Sequence, residues 1–340
     1  MKTLLALTLM LALLIPGAAL AEGSVTIFTW EGYFSDEILK QFTDDTGVSV
    51  EFSPFATNDE MLVKLRAGGR YDIVLASDYA LSILRKEGLL TALDRTLLPN
   101  YENLNPAYLN QVFDPDGAYT IPYAAGSPMI VYDPAKVEGE IAGFADLWDG
   151  QFVDSLALLN DARVMIGATL KSLGYSYNTT DQGQLDEAAA KLKSLRPNVR
   201  VFDYDAPQQY LLSGEVKVAY LFTPYAVGVQ QTNPAFKCVF PEEGIGFGID
   251  AMVIPANSEN KEAAHKFLDF MMRPEIAAKS AAWTLYLNPN AAADPLIPEE
   301  LKAYDALNIP EDKLATKEFV EDVGEFEAVY QDIWTEFQMQ

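Results

Sequence analysis

One cysteine, Cys238, and one histidine, His265, are all the chain holds of those two residue types in 340 positions. A disulfide framework, a Cys/His zinc site and a Cys–His nucleophile therefore each lack parts, and neither a metal nor a cofactor is expected. Basic residues are also scarce. There are 24 Lys+Arg against 49 Asp+Glu, a formal charge of −25 and an isoelectric point near 4.3. A nucleic-acid binder needs a basic face to displace counterions, and adhesion to anionic lipid needs the same, so both partners are excluded. The complementary partner is a cation. No G-x-x-x-x-G-K-[ST], H-E-x-x-H or G-x-S-x-G motif occurs. The glycines of Gly244-Ile-Gly246-Phe-Gly248 precede a β-like run, whereas a pyrophosphate loop must open a helix. His265 sits in a helical stretch beside Lys266 and reads as a surface or boundary residue.

Long apolar runs are confined to the N-terminus. Lys2 supplies a positive start, Leu4–Ile15 is largely apolar, and Ala19-Leu20-Ala21 is a small-x-small cleavage site. Pro16-Gly17 ends the run short of the roughly 20 residues a membrane span needs, so residues 1–21 read as a cleavable signal peptide. Its removal takes out one lysine and leaves an acidic exported chain.

What the chain has is a core. It is 49% hydrophobic and 11% aromatic, enough for two domains of ordinary size. Val25–Trp30, Val48–Phe52 and Tyr71–Ala76 read as strands. Between them lie helices over Asp36–Thr46, with Ser35 as N-cap and Gly47 as stop, and Asn58–Arg66, with Asn58 as cap. A third helix opens at Asp78. This β-α-β-α-β order predicts an α/β fold with open, mostly parallel sheets. Further helices are expected over Ala162–Leu173, Leu185–Leu195 and Lys261–Met272, and strands over Val199–Phe202, Val216–Phe222 and Ala251–Pro255. Tyr119–Tyr132 and Gly244–Asp250 read as crossings between two lobes. The first lobe is then discontinuous, residues 22–126 plus 248–296, and the second is 127–247 plus 297–340. The acidic tail Pro310–Gln340 has apolar residues at helical spacing and is expected to dock.

Aromatic residues stand next to acids at the carboxyl ends of these strands, where open α/β sheets form their ligand crevice. Trp30, Glu31 and Tyr33 follow the first strand. Ser77, Asp78 and Tyr79 follow the third, Asp161 follows Leu156–Leu159, Phe222 ends its own strand, and Asp250 lies at the second crossing. Rings attract an ammonium ion by their negative faces, and carboxylates neutralise it and accept its N–H bonds. Singly, Trp30 and Phe222 are equally compatible with a core, and Asp78 with a helix cap.

Over essentially the whole length after residue 21 the chain resembles the periplasmic spermidine/putrescine-binding proteins of ABC transporters. The resemblance rests on Phe28–Tyr33, Phe42–Gly47, Tyr71–Val74, Arg85–Gly88, Tyr119–Tyr123, Ala145–Trp148, Asn160–Arg163, Leu173–Ser176 and Ile254–Asn257, in that order. It implies a two-lobed periplasmic-binding fold closing on a ligand, a monomer, and delivery of a polyamine to a membrane permease without catalysis. It places Trp30, Tyr33, Ser77, Tyr79, Asp161, Phe222, Asp250 and Tyr286 in the amine site. Phe222 stands where a tryptophan is usual, which keeps a ring but loses an indole N–H, and four positions depart more seriously. The acid after Trp30 is shifted by one place to Glu31, Val164 stands for a carboxylate, Gly248 for a tryptophan, and Val320 for a glutamine. The resemblance therefore implies a weakly held far end of a long polyamine, and another small organic cation remains open as the ligand. An exported hydrolase and a receptor-docking sensor module are the competing classes.

Overall fold

The computed structural model describes residues 23–340; the signal segment assigned to residues 1–21 lies outside them. The first sheet is built from β1 (Ser24–Thr29), β2 (Ser49–Pro54) and β3 (Ile73–Ser77), joined by helices α1 (Asp36–Thr46) and α2 (Asn58–Arg66) and followed by α3 (Asp78–Lys86). β1 lies between β2 and β3 and pairs with both in parallel, as the alternation predicts. Ser35 caps α1 by accepting from the Ile38 N–H at 3.3 Å. Gly47, at φ +72°, closes it with its N–H on the Thr43 carbonyl at 2.9 Å. The cap of α2 is Thr57, which accepts from the Glu60 N–H, and not Asn58. Asn58 is the first helical residue, and its amide is used elsewhere.

After three short 3-10 turns, β4 (Ile121–Gly126) returns to the first sheet and β5 (Met129–Tyr132) enters a second one. The second sheet continues with β6 (Leu156–Leu159), α4 (Ala162–Lys171), α5 (Gln182–Leu195), β7 (Val199–Asp203), α6 (Gln208–Leu212), β8 (Val218–Leu221), α7 (Thr223–Thr232) and β9 (Lys237–Val239), in the strand order β7-β6-β8-β5-β9. The chain then crosses back through β10 (Gly246–Val253). It adds α8 (Lys261–Met271) and α9 (Pro274–Thr284) over the first sheet, then α10 (Glu299–Lys302), α11 (Glu311–Leu314), β11 (Glu318–Phe319) and α12 (Glu327–Gln338). The tail docks as expected: Tyr330, Trp334 and Phe337 of α12 are buried in the core beneath the second sheet.

Both sheets are mixed rather than mostly parallel. β10 runs antiparallel to β3 and β4, and β5 antiparallel to β8 and β9. The reason is connectivity. A βαβ crossover makes neighbours parallel, but a strand that arrives from the other sheet through a short link is free of that constraint. β10 also begins earlier than the hydrophobic run suggests, since Gly246 and Gly248 belong to it.

Apolar residues fill both faces of each sheet. One cluster, including Phe28, Val74, Ala125, Met129, Leu221 and Phe247, runs through both sheets, and separate clusters lie under the outer helices of each. His265 is buried, not at the surface. Its Nε2 accepts from the Asp94 N–H at 3.0 Å, and Nδ1 donates to the Lys261 carbonyl at 2.6 Å, so it fastens α8 to the loop before the first 3-10 turn.

Candidate functional site

The carboxyl ends of β1 and β3 and the middle of antiparallel β10 meet at one place, because Asp250 is registered directly opposite Ser77. Asp250 accepts from the Tyr33 hydroxyl, and its other oxygen accepts from Ser77 Oγ at 2.7 Å. Ser77 is itself held from behind: Asn58 Nδ2 donates to its Oγ at 3.1 Å, while its own N–H donates to Asn58 Oδ1 at 3.2 Å. The amide expected to cap α2 thus orients the site. Burial holds the Asp250 carboxyl above its ordinary range, opposed by the hydroxyls of Tyr33 and Ser77.

Rings wall this carboxylate. Trp30 and Tyr33 have centroids 5.1 Å apart, and Tyr33 lies 6.4 Å from Tyr286. Tyr123 OH donates to the Tyr33 carbonyl at 2.8 Å, and the Trp283 indole N–H donates to the Gly32 carbonyl at 2.7 Å, so the turn carrying both rings is tied to β4 and α9. Gly32 has φ +77°, a left-handed conformation that a side chain would strain. Tyr286 needs a second glycine. A Cβ at Gly126 would lie 2.9 Å from its ring and 2.6 Å from Thr223 Oγ1. Truncation of Trp30 or Tyr286 to Ala is expected to weaken binding of an organic ammonium ion by about 1–2 kcal/mol. Unchanged affinity in both variants, measured by calorimetry, would return these rings to packing alone.

The second sheet supplies the opposite side. Asp161 ends the loop after β6 and caps α4, accepting from the Val164 N–H at 3.0 Å. Burial raises its carboxyl, with that N–H and Arg163 opposing. Phe222 stands at the N-terminus of α7, half-buried, with Tyr204 edge-on at 6.0 Å. Tyr79 is half-buried at the start of α3; burial and then the charges of Asp59, Asp161 and Glu327 push its phenol up. Asp78 does not act as a cap. It is 3% exposed, and Oδ1 accepts from the Tyr79 N–H. Burial raises this carboxyl strongly. Glu31 is exposed on the turn, and its side chain makes no hydrogen bond or ion pair among the described residues. Val164 is 8% exposed and packs in the core, Val320 is partly buried against the same core, and a Cβ at Gly248 would meet nothing within 4 Å.

Asn58, Tyr123 and Tyr204 escape the sequence reading. Tyr204 follows the carboxyl end of β7, so the strand-end rule reaches it. Asn58 shows no such signal, since its role depends on how α2 leans on β3. Among the described residues no group of three or more His, Cys, Asp or Glu could hold a metal, and no helix is long and apolar enough to cross a membrane. The arrangement can neutralise and enclose an organic ammonium ion between two carboxylates and several rings.

The family model of bacterial extracellular solute-binding proteins matches residues 37–309. The chain is 35% identical to the spermidine/putrescine-binding periplasmic protein of Escherichia coli K12 over 322 residues, covering 93% of this chain and 92% of that protein. It is 32% identical to the putrescine-binding periplasmic protein SpuD of Pseudomonas aeruginosa, covering 88% of each. Among solved structures it is similar to the spermidine/putrescine ABC transporter substrate-binding protein PotD of Streptococcus pneumoniae. The TM-score is 0.84 at 34% identity, covering 93% of this chain and 99% of that one.

Proposed function

The chain belongs to the bacterial extracellular solute-binding proteins, and on that premise we propose that it captures a small organic amine of the polyamine class and delivers it to an ABC-transporter permease. The observation that carries this reading is the Asp250 carboxylate, held by Tyr33 and Ser77 inside a wall of rings. Each ammonium N–H donated to such a carboxylate contributes about 1.5–3 kcal/mol, and the ring faces add to it. Residues 1–21 serve as the cleavable export signal. The lobes divide at the crossings near Ser127-Pro128 and before Gly246, where the chain passes from one sheet to the other. A ligand that touches Asp250 on one side and Asp161 on the other gains most when the lobes are closed, so it shifts the population toward the closed form. The permease then reads the closed lobes.

Nothing in this mechanism uses the residues best suited to catalysis. The Cys238 thiol is pushed up to about 12 by burial, and His265 is committed to backbone partners. The test is mass spectrometry of the ligand released from purified protein, followed by calorimetry with putrescine, spermidine, spermine, choline and agmatine. Absence of binding to every amine would overturn the proposal, and turnover of the ligand would replace it with the hydrolase class.

Binding has a pH signature with a definite sign. Burial raises the carboxyls of Asp161 and Asp250 in the unliganded protein. A cation favours their charged forms, so it lowers both values and releases protons. Affinity then falls as pH drops through the raised values and levels off above them. Calorimetry in two buffers of different ionisation enthalpy reads the proton count. An affinity that stays flat as pH falls from neutral to the ordinary aspartate range near about 4, with no proton release, would contradict the assignment.

A further inference from the structure

Tyr204 stands just past the carboxyl end of β7, and its neighbours fix its course. Asp203 is registered beside Leu159 of β6, and its carbonyl accepts from the Asn160 N–H at 3.1 Å. The Asp203 carboxylate accepts from the N–H groups of Asp205 and Ala206 at 2.9 and 3.1 Å, which turns the chain sharply after the strand. From α7, the Tyr225 hydroxyl donates to the Tyr204 carbonyl at 3.0 Å. The backbone is therefore pinned on both sides of the Tyr204 ring.

The strand order decides where that ring goes. β6 lies between β7 and β8, so the ends of β7 and β8 are about 10 Å apart. Tyr204, after β7, nevertheless has its ring edge-on to Phe222, after β8, at 6.0 Å. The side chain leans across the end of β6, the strand that Asp161 follows. This is not core packing, since Tyr204 is 37% exposed and its hydroxyl makes no hydrogen bond among the described residues. Protein crowds the phenol from both sides of the cleft, and that burial, then the charges of Asp161 and Asp250, push it up.

We propose that Tyr204 is a specificity-determining residue of the amine site: its ring roofs the Asp161 end of the cleft and favours a short diamine over a longer polyamine. The inference rests on the amine-binding reading. An ammonium on Asp161 lies beneath Tyr204 with Phe222 beside it, so aromatic rings bound it on two sides. A methylene chain that extends past Asp161 meets the Tyr204 ring instead of open space. Swinging the ring aside loses its contact with Phe222, and the pinned backbone does not follow, so a longer ligand overpacks this end.

The experiment is calorimetric titration of wild type, Tyr204→Ala, Tyr204→Phe and Tyr225→Phe with putrescine, spermidine and spermine, with far-UV circular dichroism as the check on folding. Tyr204→Ala is expected to raise the ratio of spermine to putrescine affinity at least about tenfold, the scale on which a pocket discriminates ligand size. Tyr204→Phe keeps the ring and is expected to leave that ratio within about twofold. Tyr225→Phe frees the Tyr204 carbonyl and is expected to shift the ratio in the same direction as Tyr204→Ala, by less. A purely structural role would weaken all three amines together, so a ratio unchanged or lowered in Tyr204→Ala would overturn the assignment and leave the amine site standing. A rise of the same size in Tyr204→Phe would overturn the ring as the cause. If Tyr204→Ala does not fold, the sign of the Tyr225→Phe shift decides in its place. If wild type binds none of the three, the amine reading falls and the assignment of Tyr204 falls with it.

Discussion

Asp250→Asn is expected to lower the affinity for a bound ammonium by about 30-fold or more while leaving the fold intact. Removing the anion leaves a desolvated cation without its partner, which costs about 2–5 kcal/mol. The substitution is isosteric: Asn Oδ1 accepts from one of the two hydroxyls and its NH2 donates to the other, which turns from donor to acceptor, so residue 250 stays tied to Tyr33 and Ser77. The loss therefore reports charge and not collapse. Asp161→Asn is the companion on the other sheet. Asparagine is as good an N-cap as aspartate, so α4 keeps its bond from the Val164 N–H and only the charge changes. Titration calorimetry beside far-UV circular dichroism checks both. Binding within about twofold of wild type in each would remove the two carboxylates from the site, since even the weaker charge-pair losses exceed that.

Phe267→Ala is expected to cost about 3–5 kcal/mol of unfolding free energy, the range for deleting a buried ring. Phe267 on α8 is fully buried, with Phe42 of α1 edge-on at 5.0 Å and Phe34 at 5.5 Å. These partners precede it by more than 220 residues in the chain. The contact is therefore the seam that closes the first lobe after the chain has passed through the second. Urea unfolding measures the loss, and the order of affinity among amine ligands is expected to stay unchanged because the ring does not reach the cleft. A loss below about 1 kcal/mol would show that the seam contributes little and that the returning segment docks by other contacts.

The local elements were legible because short-range physics decides them. Ser35 and Gly47 bracket α1 as their side-chain chemistry requires, and the run Leu156–Leu159 is β6 to the residue. Strand ends suggested the candidate site for the same reason: Trp30, Ser77, Asp161 and Phe222 each follow or end a strand, and parallel neighbours within each sheet put those ends on one edge. The departures were different in kind. Thr57 rather than Asn58 caps α2 because Asn58 finds Ser77, a partner that exists only once α2 leans on β3. His265 is exposed or buried according to which loop covers α8, and the loop at Asp94 covers it.

By itself the sequence determined the α/β alternation, the acidic balance that calls for a cationic partner and the residue types that would hold it, because periodicity, capping and charge are properties of neighbours along the chain. Only the tertiary structure decided that β10 runs antiparallel, so that Asp250 faces Ser77 and meets Tyr33. Register between strands brought together by a crossing, and the ion-pair partner each carboxylate finds, depend on groups far apart in sequence. No local pattern encodes either.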